Sequence, residues 1–369
     1  MLQSPPAEPG MREDEVDTPA LILDLDAFEH NLDTMAGFLA GTNVKLRAHA
    51  KTHKSPVIAR LQMDRGAIGQ CVQKVGEAEI LAWGGVPDVM VTNQVVGARK
   101  LARLAALAKI SRVSICVDDP AQVAAIEQAA EAAGVRIPVL VEIDVGGKRC
   151  GVQAGPPAVA LAEVIAASKH LRFYGIQAYH GSAQHIRDPQ VRATAIASAV
   201  EASRRTVEQL RQRGLECPVV GGAGSGSFQH ELASGVYTEL QAGSYAFMDA
   251  DYARNTEAPP FQHALFVLAT VMSASSPQVA VVDAGHKAMP TDSGFPVVSG
   301  RPGVSYVSAS DEHGKLTVED PALRPRLGEK LRLIPGHCDP TVDRYDWYVG
   351  VRKGRVESLW PVAARGAMA

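Results

Sequence analysis

The chain of 369 residues is 46% hydrophobic and carries a formal net charge of −3 with a pI near 6.4. That length holds one large domain or two ordinary ones with a full core, and the charge gives no electrostatic basis for binding nucleic acid or an anionic membrane. No stretch has the apolar length of a signal-peptide core or a membrane span. The five cysteines are scattered without CxxC spacing, which fits reduced thiols and a soluble cytoplasmic protein.

After a polar tail bearing Pro5, Pro6 and Pro9, residues Ala20 to Leu25 read as a strand. Asp26 or a neighbour is expected to cap a helix running through Met35 and Leu39. From Val44 the chain alternates short apolar strands with Ala/Leu-rich amphipathic helices. The strands are expected at Val44–Arg47, Ile68–Val72, Asp88–Val91, Arg112–Val117, Pro138–Ile143, Phe173–Ala178, Pro218–Val220 and Thr238–Gln241. Eight alternations predict an α/β (β/α)8 TIM-type barrel over residues 18–257, with a doubly wound sheet as the alternative. From 258 to 369 the helical spacing disappears. Short alternating runs between Gly, Pro and Asp predict an all-β second domain, which the N-terminal segment 1–23 is expected to join.

Chemistry in a barrel belongs on the loops after the strands, and the polar clusters of this chain fall there. The first such loop, Arg47-Ala48-His49-Ala50-Lys51-Thr52-His53-Lys54-Ser55, offers Lys51 as a Schiff-base lysine, to be kept from bulk water so that its amine attacks uncharged. The loops after the seventh and eighth strands carry Gly221-Gly222-Ala223-Gly224-Ser225-Gly226-Ser227 and Ala242-Gly243-Ser244-Tyr245. Glycines there let backbone N–H groups converge on an anion, at the positions where barrels most often bind phosphate. Lysine and phosphate cradle on one face suggest pyridoxal 5′-phosphate, although a phosphosugar aldolase shares both features. Tyr179, His180 and His185 after the sixth strand add acid–base groups, and Arg149 after the fifth adds a cation.

In the second domain, His337 and Asp339 stand two apart. Pro340 pushes Asp339 toward extended geometry, so both would project from one face as a half-site for a divalent metal; a structural turn is the competing reading. Asp311-Glu312-His313 reads as a hairpin turn near the active-site mouth.

Taken together, DTPALILDLDAFEHNL, RAHAKTHK, CVQKVGEAE, VLVEIDVGGKRCGV, IQAYHGSAQH, GGAGSGS, GVYTELQAGSYAFMD and PGHCDPT resemble the D-threonine aldolase family. That family lies within the fold-type III group of alanine racemase and D-serine dehydratase, and the resemblance runs from about Asp17 to the C-terminus. It implies a pyridoxal-phosphate barrel followed by a β domain, a homodimer, and cleavage of D-3-hydroxy amino acids of the D-threonine, D-allo-threonine or D-phenylserine type to glycine and an aldehyde. It implies Lys51 as the cofactor lysine, Arg149 and Tyr179 on the cofactor ring or its O3′, and Gly222, Gly224, Ser225, Gly226, Ser244 and Tyr245 around the phosphate. His185 would be the base on the substrate hydroxyl, Gln73 and Asp311 would face substrate, and His337 and Asp339 would hold the metal. The family often writes glycine and threonine where Ala223 and Ser225 stand here; both are small. D-serine dehydratases resemble the chain but carry cysteine two after the histidine. Asp339 is a harder ligand, favouring Mn²⁺ or Mg²⁺ over Zn²⁺ and the aldolase over the dehydratase. A D-3-hydroxyaspartate aldolase or dehydratase stays open, and a non-catalytic carrier of the cofactor is opposed by the second domain.

Overall fold

The computed structural model describes residues 3–257 and 259–369. Its centre is a ring of parallel strands at the eight expected places: Lys45–Leu46 with Ala48–His49, then Gln70–Val72, Asp88–Val91, Arg112–Val117, Ile137–Asp144, Leu171–Gln177, Val219–Gly222 and Glu239–Leu240. The ring closes at Arg47. The backbone N–H of Arg47 donates to Leu240 O (2.9 Å) on one side, and Ile68 N donates to Leu46 O (2.8 Å) on the other. The Arg47 guanidinium is fully buried there, bonding Glu239 at 2.8 Å and Asp88 at 2.6 Å, so both carboxylates of the seam are paired.

Helices at Val75–Trp83, Ala98–Leu107, Pro120–Ala133, Pro156–Ala167 and Pro189–Gln212 pack their apolar stripes on the outside of the ring. Inside it, Cys71, Met90, Cys116, Leu140 and Val219 form a dry plug. A ligand can therefore enter only from the loop face above that plug. No described helix is long and apolar enough to cross a membrane.

The second layer is a mostly antiparallel sheet, and the chain enters through it. Ala20–Asp24 lies between Leu265–Ser276, antiparallel, and Trp347–Arg352, parallel, so the first strand of the sequence is central in the last sheet. The helix that follows, Leu25–Leu39, is capped by Asp24, whose carboxylate accepts from Ala27 N at 3.2 Å; Asp26 lies inside the first turn instead.

The sequence pattern missed one element here, the helix Cys338–Val342. Asp339 takes helical geometry although it precedes Pro340, because Pro340 falls in the first turn, where its missing N–H is no loss. His337 is the extended residue before that helix. The two side chains thus leave from a helix start, not from alternate positions of one strand.

Candidate active site

Two joined chambers open above the plug. The first, of about 240 Å³, has Lys51, Gln73 and Thr92 on one side and Ala223, Gly224, Ser225, Gly243 and Ser244 on the other. Its floor is a reciprocal amide pair: Gln177 donates to Gln241 Oε1 (2.6 Å), and Gln241 donates back (2.9 Å) while resting on the sulfur of Met90. Arg149 and Tyr179 stand between this chamber and a second of about 330 Å³, which extends over Glu142, Asp144 and Ser182 to His185. The Arg149 guanidinium lies over the Tyr179 ring, 5.6 Å from its centre.

Lys51 sits in the turn that ends the first strand, and its Nζ forms an ion pair with Asp339. Burial acts against the charge on the amine, but the Asp339 carboxylate outweighs it and the Lys51 pKa is raised. Burial also opposes ionisation of Asp339, yet Lys51 and then His337 hold its pKa down, at about 2. The amine that the sequence reading keeps from water for attack is thus paired with a carboxylate of the second domain, which favours its charged form. A long-range carboxylate, invisible in the local motif, decides its state.

The glycine loops converge as expected, though not residue for residue. Gly224, Ser225 and Ser244 line the first chamber, and Ser225 Oγ is buried without a hydrogen-bond partner. Gly243 has no room for a side chain: a Cβ there would stand 2.7 Å from His49 O and 2.7 Å from Thr52 Oγ1. Gly222 and Gly226 flank the chamber, and the Gly226 N–H already donates to Gln184 Oε1 (3.1 Å). The Tyr245 phenol turns away into the core, where it accepts from Gln62 at 3.1 Å. Beneath the cradle, Gln184 donates to Ser227 Oγ (2.7 Å), which donates to the buried Glu231 (2.8 Å).

His185 reaches the second chamber, with its Nδ1 2.5 Å from Asp251 and its ring 5.5 Å from that of Tyr252. His337 is held differently: its Nδ1 is 2.8 Å from the Asp292 carboxylate. Gln73 lines the first chamber, where its amide donates to Thr92 Oγ1 (3.1 Å) and lies 2.9 Å from His49 Nε2. Asp311 is exposed in the turn after Val304–Ala309 and lines neither chamber. Its carbonyl accepts from Lys287 N at 3.0 Å.

This architecture has close relatives. The family model described as alanine racemase, N-terminal domain, matches residues 23–251, and that described as a putative serine dehydratase domain matches residues 264–351. The chain is 46% identical to 3-hydroxy-D-aspartate aldolase of Paracoccus denitrificans (strain Pd 1222), over 98% of this chain and 95% of that one. It is also 46% identical to D-threonine aldolase of an Arthrobacter species, over 98% and 96%. The crystal structure of D-threonine aldolase from Filomicrobium marinum superposes with a TM-score of 0.98 at 53% identity, covering 99% of this chain and 100% of that one. The chain belongs to the fold-type III family of pyridoxal phosphate enzymes, on the branch of these aldolases.

The residues present fit the family's cofactor. An unpartnered buried hydroxyl (Ser225) and a wall that tolerates only glycine (Gly243) face Lys51 across one cavity of suitable size. They also fit a divalent cation bound by two protein ligands. Asp339 Oδ1 is buried and unpartnered, and Asp292 orients the His337 ring through Nδ1, leaving Nε2 as a donor in the manner of metal-binding histidines. Among the described residues no group of three or more His, Cys, Asp or Glu is placed around one ion, so solvent or substrate would complete the shell.

Several residues of the site escaped the sequence reading. His49, Gln177 and Gln241 line the first chamber, and a polar residue inside an otherwise apolar strand or at its end was the available signal for the two glutamines. Asp251 and Asp292 had no signal, because each acts on a histidine 66 or 45 residues away.

Proposed function

We propose that this enzyme is a lyase that cleaves D-3-hydroxy amino acids with a neutral Cβ substituent, of the D-threonine type, to glycine and an aldehyde. The observation that supports this reading is the contact of Lys51 with Asp339, between the barrel residue we assign to the cofactor and the second-domain carboxylate we assign to the cation. Substrate held at one is within reach of the other, as cleavage between Cα and a hydroxyl-bearing Cβ requires.

When bound, pyridoxal phosphate supplies the sink for the electron pair of the broken Cα–Cβ bond, and a divalent cation (Mn²⁺ or Mg²⁺, with Zn²⁺ as the alternative) polarises the β-hydroxyl. The chain's own groups do the rest. Lys51 holds the cofactor aldehyde, and the Gly224, Ser225 and Ser244 loops hold its phosphate. Arg149 and Tyr179 stand at the ring, and Gln73 borders the substrate. His337 and Asp339 hold the cation. His185 takes the proton from the β-hydroxyl, a general-base role of about 10²- to 10⁴-fold. A cytoplasmic homodimer is part of the same reading, and light scattering tests the dimer.

A second reading, 3-hydroxy-D-aspartate as substrate, draws on the Paracoccus relative and on Arg149 as a cation between the chambers. Glu142 and Asp144 in the second chamber oppose a further carboxylate there. Product analysis decides. Supplied with cofactor and metal, the enzyme should give glycine and acetaldehyde from D-threonine and no pyruvate from D-serine. Ammonia with a 2-oxo acid would make it a dehydratase. Turnover of 3-hydroxy-D-aspartate alone would favour the second reading.

A further inference from the structure

We infer that Asp251 is the positioning residue that fixes His185 in its Nδ1–H tautomer and so leaves the Nε2 lone pair to the second chamber. The inference rests on the proposed role of His185 as base, and extends it to a residue that no sequence motif marks.

Asp251 is almost completely buried, whereas His185 is half-exposed. Its two carboxylate oxygens divide their work: Oδ2 faces His185 Nδ1 at 2.5 Å, and Oδ1 takes Arg254 Nη2 at 2.6 Å and Arg187 Nη2. Burial works against the charge of Asp251, but the hydrogen bonds from Arg187, His185 and Arg254 outweigh it and keep the group ionised. An ionised carboxylate only accepts hydrogen bonds, so the proton of the pair resides on Nδ1. In a neutral imidazole the other nitrogen is then an acceptor.

The backbone is tied down as well. Arg187 Nη1 donates to Asp251 O and to Asn255 Oδ1, both at 2.7 Å, and Asn255 Nδ2 donates to Gln184 O at 2.9 Å. The turn that carries His185 and the turn that carries Asp251 therefore move as one piece. In the cleavage step, Nε2 takes the hydroxyl proton and the O–H electron pair becomes the new C=O bond. The Cα–Cβ pair remains on Cα, and the imidazolium that forms lies beside the Asp251 carboxylate.

The test uses the full-length, cofactor-loaded protein with ¹⁵N-labelled histidine, and the variants D251N, D251E and H185Q. The imidazole ¹⁵N shifts report the tautomer of His185, assigned by its loss in H185Q; cofactor absorption reports an intact site. The wild type should show Nδ1–H. In D251N the amide donates to Nδ1 and should switch the ring to Nε2–H. There kcat for D-threonine should fall by about 10³- to 10⁴-fold with KM changed little, as for loss of the tautomer-setting carboxylate in serine proteases. D251E should recover at least about tenfold of that loss, and a D251N/H185Q double variant should be no slower than H185Q. Nε2–H in the wild type would overturn the inference, as would D251N that keeps kcat within about threefold while H185Q is inactive. Full activity of H185Q would instead remove the base reading beneath it, and the wild-type tautomer would still decide the role of Asp251.

Discussion

Replacing Glu231 by glutamine should stabilise the protein near pH 8 and do little near pH 5. Glu231 lies under the glycine loop Gly221–Ser227, with Oε1 bonded to Ser227 Oγ at 2.8 Å and Oε2 buried without a partner. Burial, only partly offset by the Ser227 bond, raises its pKa from 4.5 to about 7. A carboxyl group whose folded value is raised contributes its full stability below the unfolded value and loses it as pH rises through the folded one. The window is therefore about pH 4.5 to 7, and the loss is complete above it. At about 1.4 kcal/mol for each pH unit, ionised Glu231 costs on the order of 3 kcal/mol near pH 8. Glutamine mimics the protonated acid at every pH, so any fixed packing penalty cancels when the two pH values are compared. Urea unfolding of wild type and E231Q at both pH values reads the difference directly. A variant-minus-wild-type difference that is the same at both would refute the reasoning, and one that favoured the variant only at low pH would reverse its sign.

Other consequences follow from the same geometry. Arg47→Met would leave the buried Glu239 without its guanidinium at the barrel seam, Asp88 keeping only Arg112 at 3.6 Å, and should cost about 3–5 kcal/mol in thermal or urea unfolding; an unchanged midpoint would mean the seam does not depend on it. Gly243→Ala would place a methyl group 2.7 Å from His49 O and Thr52 Oγ1. It should weaken cofactor binding at least about tenfold with circular dichroism unchanged, since relief of that clash must move the lysine turn or the cradle. His337→Ala should keep cofactor absorption yet lose both D-threonine cleavage and its stimulation by added metal. Metal-independent turnover at the wild-type rate would remove the half-site from the account.

What the sequence conveyed depended on how local each feature is. The barrel strands were legible because each is a short apolar run followed by a polar loop and an amphipathic helix, and the loop carrying Lys51 stood out as the first of these. Segment 1–23 is expected from the sequence to join the second domain, but the central place of Ala20–Asp24 in its sheet follows from pairing with residues some 245 and 327 positions later, which no window reveals. Pro340 misled the local reading: the rule that disfavours helix before proline is a bias, and a helix start that needs no N–H at that position overrode it. The motif around Ser244 put Ser244 on the first chamber but not Tyr245, because the 3-10 turn Ser244–Ala246 sends the Tyr245 ring to the opposite side. Asp251, Asp292 and the Asp339 partner of Lys51 are all carboxylates supplied by distant segments. They set the charge and orientation of residues the motifs did identify, and that information exists only once the chain is folded.

The central claim is that Lys51, facing the phosphate loops and in contact with Asp339, is the residue that binds the cofactor aldehyde. Borohydride reduction of the cofactor-loaded enzyme, followed by peptide mapping, tests it most directly. The account predicts one modified peptide, carrying the reduced cofactor on Lys51, and no modification in the Lys51→Ala variant. The cofactor mapped instead to Lys54 or Lys148, or trapped equally well in that variant, would contradict it.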